Sequence, residues 1–282
     1  MPIVVDDLCY SYPGNVSGVP SAIANVSLTI DEGEFVSIIG HTGSGKSTFV
    51  QQLNGLLLPT HGSVTVDGMK LGEKKLRAKA RSLVGMVFQY PEYQLFAETV
   101  AEDVAFGPKN MGLSESEVKE RVSEALSLVG LDPDEFAAKS PFELSGGEKR
   151  RAALAGVVAM RPKYLVLDEP MAGLDPKGRR EILLLLENMR RKNGQTIIMV
   201  SHSMDDVARH STKIIVLNKG AVAYYGTPRE VFSHSDELDA IGLALPHAAK
   251  LALLLRKRGI DVPSDICTYD AMRSWLEGRL IH

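Results

Sequence analysis

The octapeptide Gly40-His41-Thr42-Gly43-Ser44-Gly45-Lys46-Ser47 constrains this chain more than any other stretch. It follows the mostly apolar run Phe35–Ile39 and precedes a helix-like segment over residues 48–57. A strand that breaks into a glycine-rich turn and continues as a helix has the layout of a phosphate-binding loop. The glycines let the backbone curl until several N–H groups point at one place, where the helix N-terminus adds partial positive charge. Lys46 adds a full charge, and Ser47 offers a hydroxyl to Mg²⁺, a cation that prefers hard oxygen ligands. The expected nucleotide contacts therefore run from Gly40 through His41, Thr42, Gly43, Ser44, Gly45, Lys46 and Ser47 to Thr48. Such a loop binds a nucleoside triphosphate but does not say what its hydrolysis drives.

Composition narrows the setting. A chain of 282 residues has room for one large α/β domain and a smaller appendage. The net charge of −3 gives no general reason to expect nucleic acid or acidic lipid as a partner. The start, Met1-Pro2-Ile3-Val4-Val5-Asp6-Asp7, lacks the basic and apolar regions of a signal peptide. No apolar run approaches the roughly 20 residues of a membrane helix. Cys9 and Cys267, at opposite ends, suggest neither a disulfide framework nor a metal site, and fit a reducing cytoplasm. Any membrane role would come through a partner.

The first thirty residues read as β, with strands over 3–10 and 24–30 separated by the turn-rich Pro13-Gly14-Asn15 and Ser17-Gly18. Strands are also expected over 35–39, 63–66 and 84–88, the last two flanking a basic helical piece over 73–81. Residues 90–145 are helical in texture, with Ser114 capping a helix whose first turn carries Glu115 and Glu117. Beyond them, helices over 149–160 and 177–191 alternate with strands over 164–167, 196–200, 213–217 and 221–225. This alternation predicts a mostly parallel core sheet with helices on its faces and a helical insertion. After residue 235 the pattern changes to a small tail with helices over 248–258 and 270–277.

Tyr164-Leu165-Val166-Leu167-Asp168-Glu169 is an apolar strand ending in two carboxylates. A parallel strand beside the phosphate loop would deliver Asp168 to the Mg²⁺ shell, directly or through water. Glu169 would then act as general base toward the attacking water. In Leu144-Ser145-Gly146-Gly147-Glu148 a small hydroxyl and two glycines again open a helix, so backbone N–H groups can face a second anion. Taken alone, that pentapeptide is equally a capped helix start.

This order of elements resembles the ATP-binding cassette (ABC) ATPases, whose signature is Leu-Ser-Gly-Gly-Gln. Glu148 stands where the glutamine is usual, a change that leaves the anion-facing amides in place. The resemblance covers residues 3–235 and implies an α/β cassette: a parallel core sheet with an antiparallel β part and a helical subdomain over about 90–160. It implies that Tyr12 stacks on adenine and that His202 contacts the γ-phosphate. Gln89 would sense Mg²⁺ and the attacking water, and Asp175, in Ala172-Gly173-Leu174-Asp175, would belong to a loop crossing to a partner subunit. In that family one subunit's phosphate loop faces the other's signature, here Ser145, Gly146 and Gly147. A chain with one of each should therefore act as a dimer.

Finer wording points to one branch. Phe88-Gln89-Tyr90-Pro91-Glu92-Tyr93-Gln94-Leu95-Phe96, Asp103-Val104-Ala105-Phe106-Gly107-Pro108 and Ser140-Pro141-Phe142-Glu143 resemble the ATPases of energy-coupling factor (ECF) transporters. Leu174-Asp175-Pro176-Lys177-Gly178 does so too, although Met171 stands where Thr is more usual. The resemblance implies an ATP-hydrolysing subunit on the cytoplasmic face of a membrane, driving import of vitamins or transition-metal ions. Its expected partners are a second ATPase in a hetero- or homodimer, the Tyr-Pro-Glu-Tyr-Gln wording favouring an unequal pair, a transmembrane coupling protein and, indirectly, a substrate-binding membrane protein. Tyr90, Tyr93 and Phe96 are expected along one side of a short helix. They would either pack locally or form a groove for the coupling protein, with Glu92 and Glu98 offering carboxylates to its arginines. The tail over 236–282 resembles an extension that packs on the partner ATPase, with Leu251, Leu254 and Leu255 either making that contact or packing on the chain's own core. A soluble ATP-driven clamp on nucleic acid is the alternative. Mild acidity and the short interval between Ser47 and Ser145, too short for a long coiled coil, weigh against it.

Overall fold

In a computed structural model, residues 1–13 and 21–280 are described; the turn expected over Gly14, Asn15, Ser17 and Gly18 lies outside them. The strands are β1 (Ile3–Tyr10), β2 (Ile23–Ile30), β3 (Phe35–Ile39), β4 (His61–Val66), β5 (Met69–Lys70), β6 (Val84–Val87), β7 (Tyr164–Asp168), β8 (Thr196–Val200), β9 (Lys213–Asn218) and β10 (Ala221–Gly226). They form two sheets, in the orders β2-β1-β4-β5 and β10-β9-β3-β8-β7-β6. The first sheet is antiparallel. In the second, all pairs are parallel except the edge pair of β9 with β10. Strands β3, β6, β7 and β8 are buried along their whole length, as apolar strands covered on both faces must be.

One expectation needs correcting. Strand β7 does not lie beside the phosphate-loop strand β3; β8 is inserted between them. Reach is preserved by register. Val200 pairs with Ile38 on one side and with Asp168 on the other, so the three strands end at one level. Two strand spacings leave about 10 Å between β3 and β7, a gap that the start of the next helix spans.

The helices are α1 (Lys46–Leu53), α2 (Lys74–Leu83), α3 (Val100–Asn110), α4 (Glu115–Leu128), α5 (Pro133–Phe136), α6 (Gly146–Val158), α7 (Pro176–Asn193), α8 (Met204–His210), α9 (Pro228–Ser233), α10 (Ser235–Ala240), α11 (His247–Lys257) and α12 (Tyr269–Leu280). Helix α1 is shorter than expected because Gly55, at φ +70°, turns the chain away. Helices α3, α4 and α6 each open with a reciprocal capping box, pairing Thr99 with Glu102, Ser114 with Glu117 and Ser145 with Glu148. Their apolar faces, including Val104, Val122, Leu126 and Ala155, pack with Leu165, Leu167 and Met199 of the parallel sheet. Alternate residues Val166, Ile198 and Val200 face the other way, onto α1 and the antiparallel sheet. The tail joins α8, α9 and β9 through Leu238, Leu243 and Cys267. It also has a small core of its own around Ala252, Ile266 and Met272.

A polar cluster ties the two sheets at one end. Lys163 Nζ donates to Asp67 Oδ2 at 2.7 Å and to Glu32 Oε1 at 2.9 Å, and the Tyr164 hydroxyl donates to Asp67 Oδ1 at 2.6 Å. Burial alone would raise the Asp67 carboxyl, but the hydrogen bonds from Lys163 and Tyr164 and the Lys163 charge outweigh it and hold the group low. A carboxyl whose folded pKa lies below its unfolded one stabilises the fold above the unfolded value, near pH 3.9 for ordinary Asp. That contribution is lost as pH falls through the folded value. Asp67→Asn should therefore lower stability by roughly 1–3 kcal/mol at neutral pH. Thermal unfolding of both proteins across a pH series checks this: the difference should shrink below about pH 4.

Candidate nucleotide-binding and catalytic site

The phosphate loop connects β3 to α1 and is shaped by contacts that only glycine permits. Gly45 sits at φ +101°, and a Cβ there would lie 2.5 Å from the Ala22 carbonyl oxygen. Lys46 Nζ donates to the carbonyls of Gly40 at 2.8 Å and His41 at 3.0 Å, which uses two of its three donors on the loop itself. Burial lowers the Lys46 pKa, and the nearby charges of Glu169 and Asp168 oppose that shift. The Ser44 hydroxyl is buried and has no partner among the described residues. Thr48 Oγ1 lies 2.9 Å from the Tyr12 hydroxyl, and the Tyr12 ring stands edge-on to Tyr10 at 5.0 Å. The His41 side chain is engaged within the chain. Its Nδ1 donates to the Thr42 carbonyl at 2.8 Å and its Nε2 lies 3.1 Å from Asn218 Oδ1, so the ring staples the loop to β9. Only its backbone is left for a nucleotide.

Three strand ends converge beside this loop. Gln89 follows β6, Asp168 ends β7, Glu169 comes next and His202 follows β8. Glu169 has a left-handed backbone, φ +50°, a conformation that costs a β-carbon-bearing residue on the order of 1–3 kcal/mol. Its carboxylate is gripped from both sides. Gln89 Nε2 donates to Oε2 at 3.2 Å, and His202 Nε2 lies 2.7 Å from Oε1. The Gln89 side-chain oxygen accepts no hydrogen bond among the described residues. Burial pushes the Asp168 carboxyl up, the Ser47 hydroxyl opposes it, and the Glu169 charge pushes it further up. A buried carboxylate with too little positive charge, next to a hydroxyl, is a hard-oxygen donor set that suits Mg²⁺. No cluster of three or more His, Cys, Asp or Glu suited to a metal occurs among the described residues.

The second glycine-bearing helix start lies in a different cleft. Gly146 and Gly147 open α6 there and share the cleft with Gly173, Asp175 and Lys177. Ser145 caps α6, with the Glu148 carboxylate accepting from the Ser145 N–H at 2.8 Å, so the residue that replaces glutamine completes a capping box. Asp175 caps α7 by accepting from the Gly178 N–H at 2.8 Å. Met171 is buried in the core, so the exchange with Thr there is a matter of packing.

Sequence reasoning missed Arg150. This buried side chain donates through Nε and Nη2 to both oxygens of Glu92, at 3.2 and 2.9 Å, and through Nη1 to the Ala172 carbonyl at 2.7 Å. Glu92 is therefore committed within the chain and is not available to a partner's arginines. The segment around it also departs from expectation. Only Pro91–Gln94 form a helical turn, of 3₁₀ type, and Tyr90 and Phe96 lie outside it. All three aromatic rings are nonetheless exposed. Phe96 stands edge-on to Phe106 at 5.1 Å, and buried Asp103 accepts from the N–H groups of Phe96 at 3.2 Å and Ala97 at 3.1 Å. Glu98 remains exposed.

Residues 23–172, from β2 to the loop after Glu169, match the family model of the ABC transporter. The chain is 54% identical to the energy-coupling factor transporter ATP-binding protein EcfA2 of Caldanaerobacter subterraneus, over 96% of this chain and 94% of that one. It belongs to the ABC transporter family. The EcfA2 of Symbiobacterium thermophilum is also 54% identical, over 99% of this chain and 98% of its own. Among solved structures, cbiO1 of Clostridium perfringens, part of the ABC transporter complex cbiONQ, superposes with a TM-score of 0.74 at 38% identity, over 86% of this chain and 95% of that one. The cassette MJ0796, in a dimeric post-hydrolysis state bound to ADP and phosphate, gives 0.71 at 32% identity, over 80% and 98%. This chain is an ABC ATPase of the energy-coupling factor type that binds and hydrolyses ATP.

For this cassette, breaking the Glu92–Arg150 pair should act first on the fold. Glu92→Lys would strand a buried guanidinium against a like charge, at a cost on the order of 3 kcal/mol. A fall of several degrees in the thermal midpoint of the isolated subunit is the expected result, seen without any membrane partner present.

Proposed function

We propose that this chain is one of two ATPases of an energy-coupling factor importer, working on the cytoplasmic face of a membrane and driving uptake of a vitamin or a transition-metal ion. The observation that carries the catalytic part is the Glu169 carboxylate, held between Gln89 and His202 beside Lys46. On this reading Tyr12 stacks on the adenine. The amides of residues 40–48 and the Lys46 ammonium take the phosphates. Ser47 and Asp168 would hold Mg²⁺, with the free Gln89 oxygen nearby; when bound, the ion neutralises phosphate charge.

Glu169 accepts a proton from the attacking water as its oxygen bonds to the γ-phosphorus and the bond to the leaving ADP oxygen breaks. His202 orients Glu169 and faces the γ-phosphate. Ser145, Gly146 and Gly147 serve the nucleotide of the partner ATPase, and Asp175 belongs to the loop at that interface. Two facts support a dimer: one chain carries Glu169 with His202 and the signature glycines in separate clefts, and the related cassette MJ0796 is dimeric with ADP and phosphate bound. The shared EcfA2 name of the relatives favours an unequal pair.

No described helix is long and apolar enough to cross a membrane, so coupling needs a transmembrane partner. The exposed rings of Tyr93 and Phe96 suit docking of its cytoplasmic helices. The tail over 236–282 suits a contact with the other ATPase, because Leu251 and Leu254 are exposed on α11.

Two outcomes test this. Glu169→Gln keeps the shape but removes the base, so ATP binding should persist while turnover falls on the order of a hundredfold or more. Nucleotide binding and phosphate release measured on the same preparation check it, and wild-type turnover would sink the base assignment. Tyr93→Ser with Phe96→Ser should reduce recovery of membrane protein with this chain from detergent extracts while leaving ATP binding intact; about tenfold is expected for two central aromatic anchors.

A further inference from the structure

Helix α8 begins two residues after His202, and both acidic residues of its first turn are tethers. Asp206 faces Arg179 in the first turns of α7, Oδ2 to Nε at 3.6 Å. Asp205 reaches the C-terminal extension. Its Oδ1 accepts from the backbone N–H of His247 at 2.9 Å, and its Oδ2 pairs with His247 Nδ1. His247 is the first residue of α11, whose N-cap position is held by Pro246 with no side-chain cap of its own. The unsatisfied N–H groups of a helix start need acceptors, and here the acceptor comes from another element. Asp205 thus caps α11 from outside and fastens it to the segment that carries His202.

The same region is a single cleft. Glu169, His202, Asp205, Leu245, His247 and Lys250 line one depression of about 520 Å³ between the catalytic edge of the sheet and α11. Between His202 and Asp205 the chain has little slack: Ser203 N–H donates to the Ser201 hydroxyl at 3.1 Å, and the Ser201 N–H donates to the Ile38 carbonyl at 3.3 Å. A displacement of α11 therefore moves Asp205 and with it the imidazole that lies 2.7 Å from Glu169.

We propose that His247 is a positioning residue: through Asp205 it sets His202 against Glu169, so that the seating of the C-terminal extension is read out as catalytic geometry. The inference rests on Glu169 and His202 being the catalytic pair. It also gives the extension a role beyond any contact between ATPases, because the capped end of α11 is the end that faces the site.

The test uses the whole transporter complex in detergent, with ATP hydrolysis measured over a range of ATP concentrations for His247→Ala, His247→Asn and Glu169→Gln. His247 is exposed, so neither of its substitutions removes core packing. In His247→Ala, kcat should fall about tenfold, the scale expected for a sub-ångström misplacement of a catalytic group. KM for ATP and the ratio of ATPases to membrane protein should stay unchanged. His247→Asn, whose amide nitrogen stands near the place of Nδ1, should recover most of the loss. A wild-type kcat in His247→Ala, or a loss that Asn does not rescue, or a loss that only tracks broken complexes, overturns the proposal. Full turnover in Glu169→Gln would instead overturn the catalytic reading beneath it, so the two failures are told apart.

Discussion

Val200 pairs with Ile38 on one flank and with Asp168 on the other, and this register brings the chemistry of the cassette together. Parallel strands covered by helices on both faces cannot slide without exposing their apolar faces, so their ends stay level. The loop after each strand then opens onto one edge: the phosphate loop from β3, Gln89 from β6, the two acids from β7 and His202 from β8. None of these side chains needs to travel far. The Glu169 carboxylate is met by Gln89 and His202 because the strands on either side of β7 end where it ends.

The helix start at Gly146 stands apart from that edge. Gly146 and Gly147 present their amides in the cleft with Asp175 and Lys177, whereas Glu169 and His202 line another. On the proposed function, the open start of α6 on another subunit would supply a second positive surface over the negative charge brought to the Lys46 side. The capping box formed by Glu148 turns that carboxylate onto the Ser145 N–H, so the glycine amides remain the groups that face outward.

What the sequence made legible was local. The phosphate loop, the acids ending an apolar strand and the Ser-Gly-Gly helix start are short runs whose chemistry follows from spacing along the chain. The strand bodies were readable for the same reason, as unbroken apolar runs between turn residues. Interactions across long separations were not readable. The insertion of β8 between β3 and β7 is a property of sheet order, which no periodicity encodes. Glu92 looked like a free surface carboxylate because its partner, Arg150, lies 58 residues away. Nothing in the loop's spacing shows that the His41 ring is held by Asn218, 177 residues on. The cap that Asp205 supplies to α11 belongs to this class, and only the bare Pro246 before that helix hinted that a cap must come from elsewhere.

Arg150 carries a mechanical consequence. It grows from the helix that the signature opens, it holds the turn containing Glu92 by a forked pair, and it holds the backbone of Ala172, three residues after Glu169. Three segments pinned to one planar cation lose their independent freedoms and behave as a single lever. A push on the exposed aromatics beside Glu92 then cannot be absorbed locally. Displacement of that turn would be shared with the start of α6 and with the loop after Glu169, which gives the helical block the stiffness of a crank rather than the compliance of a loop.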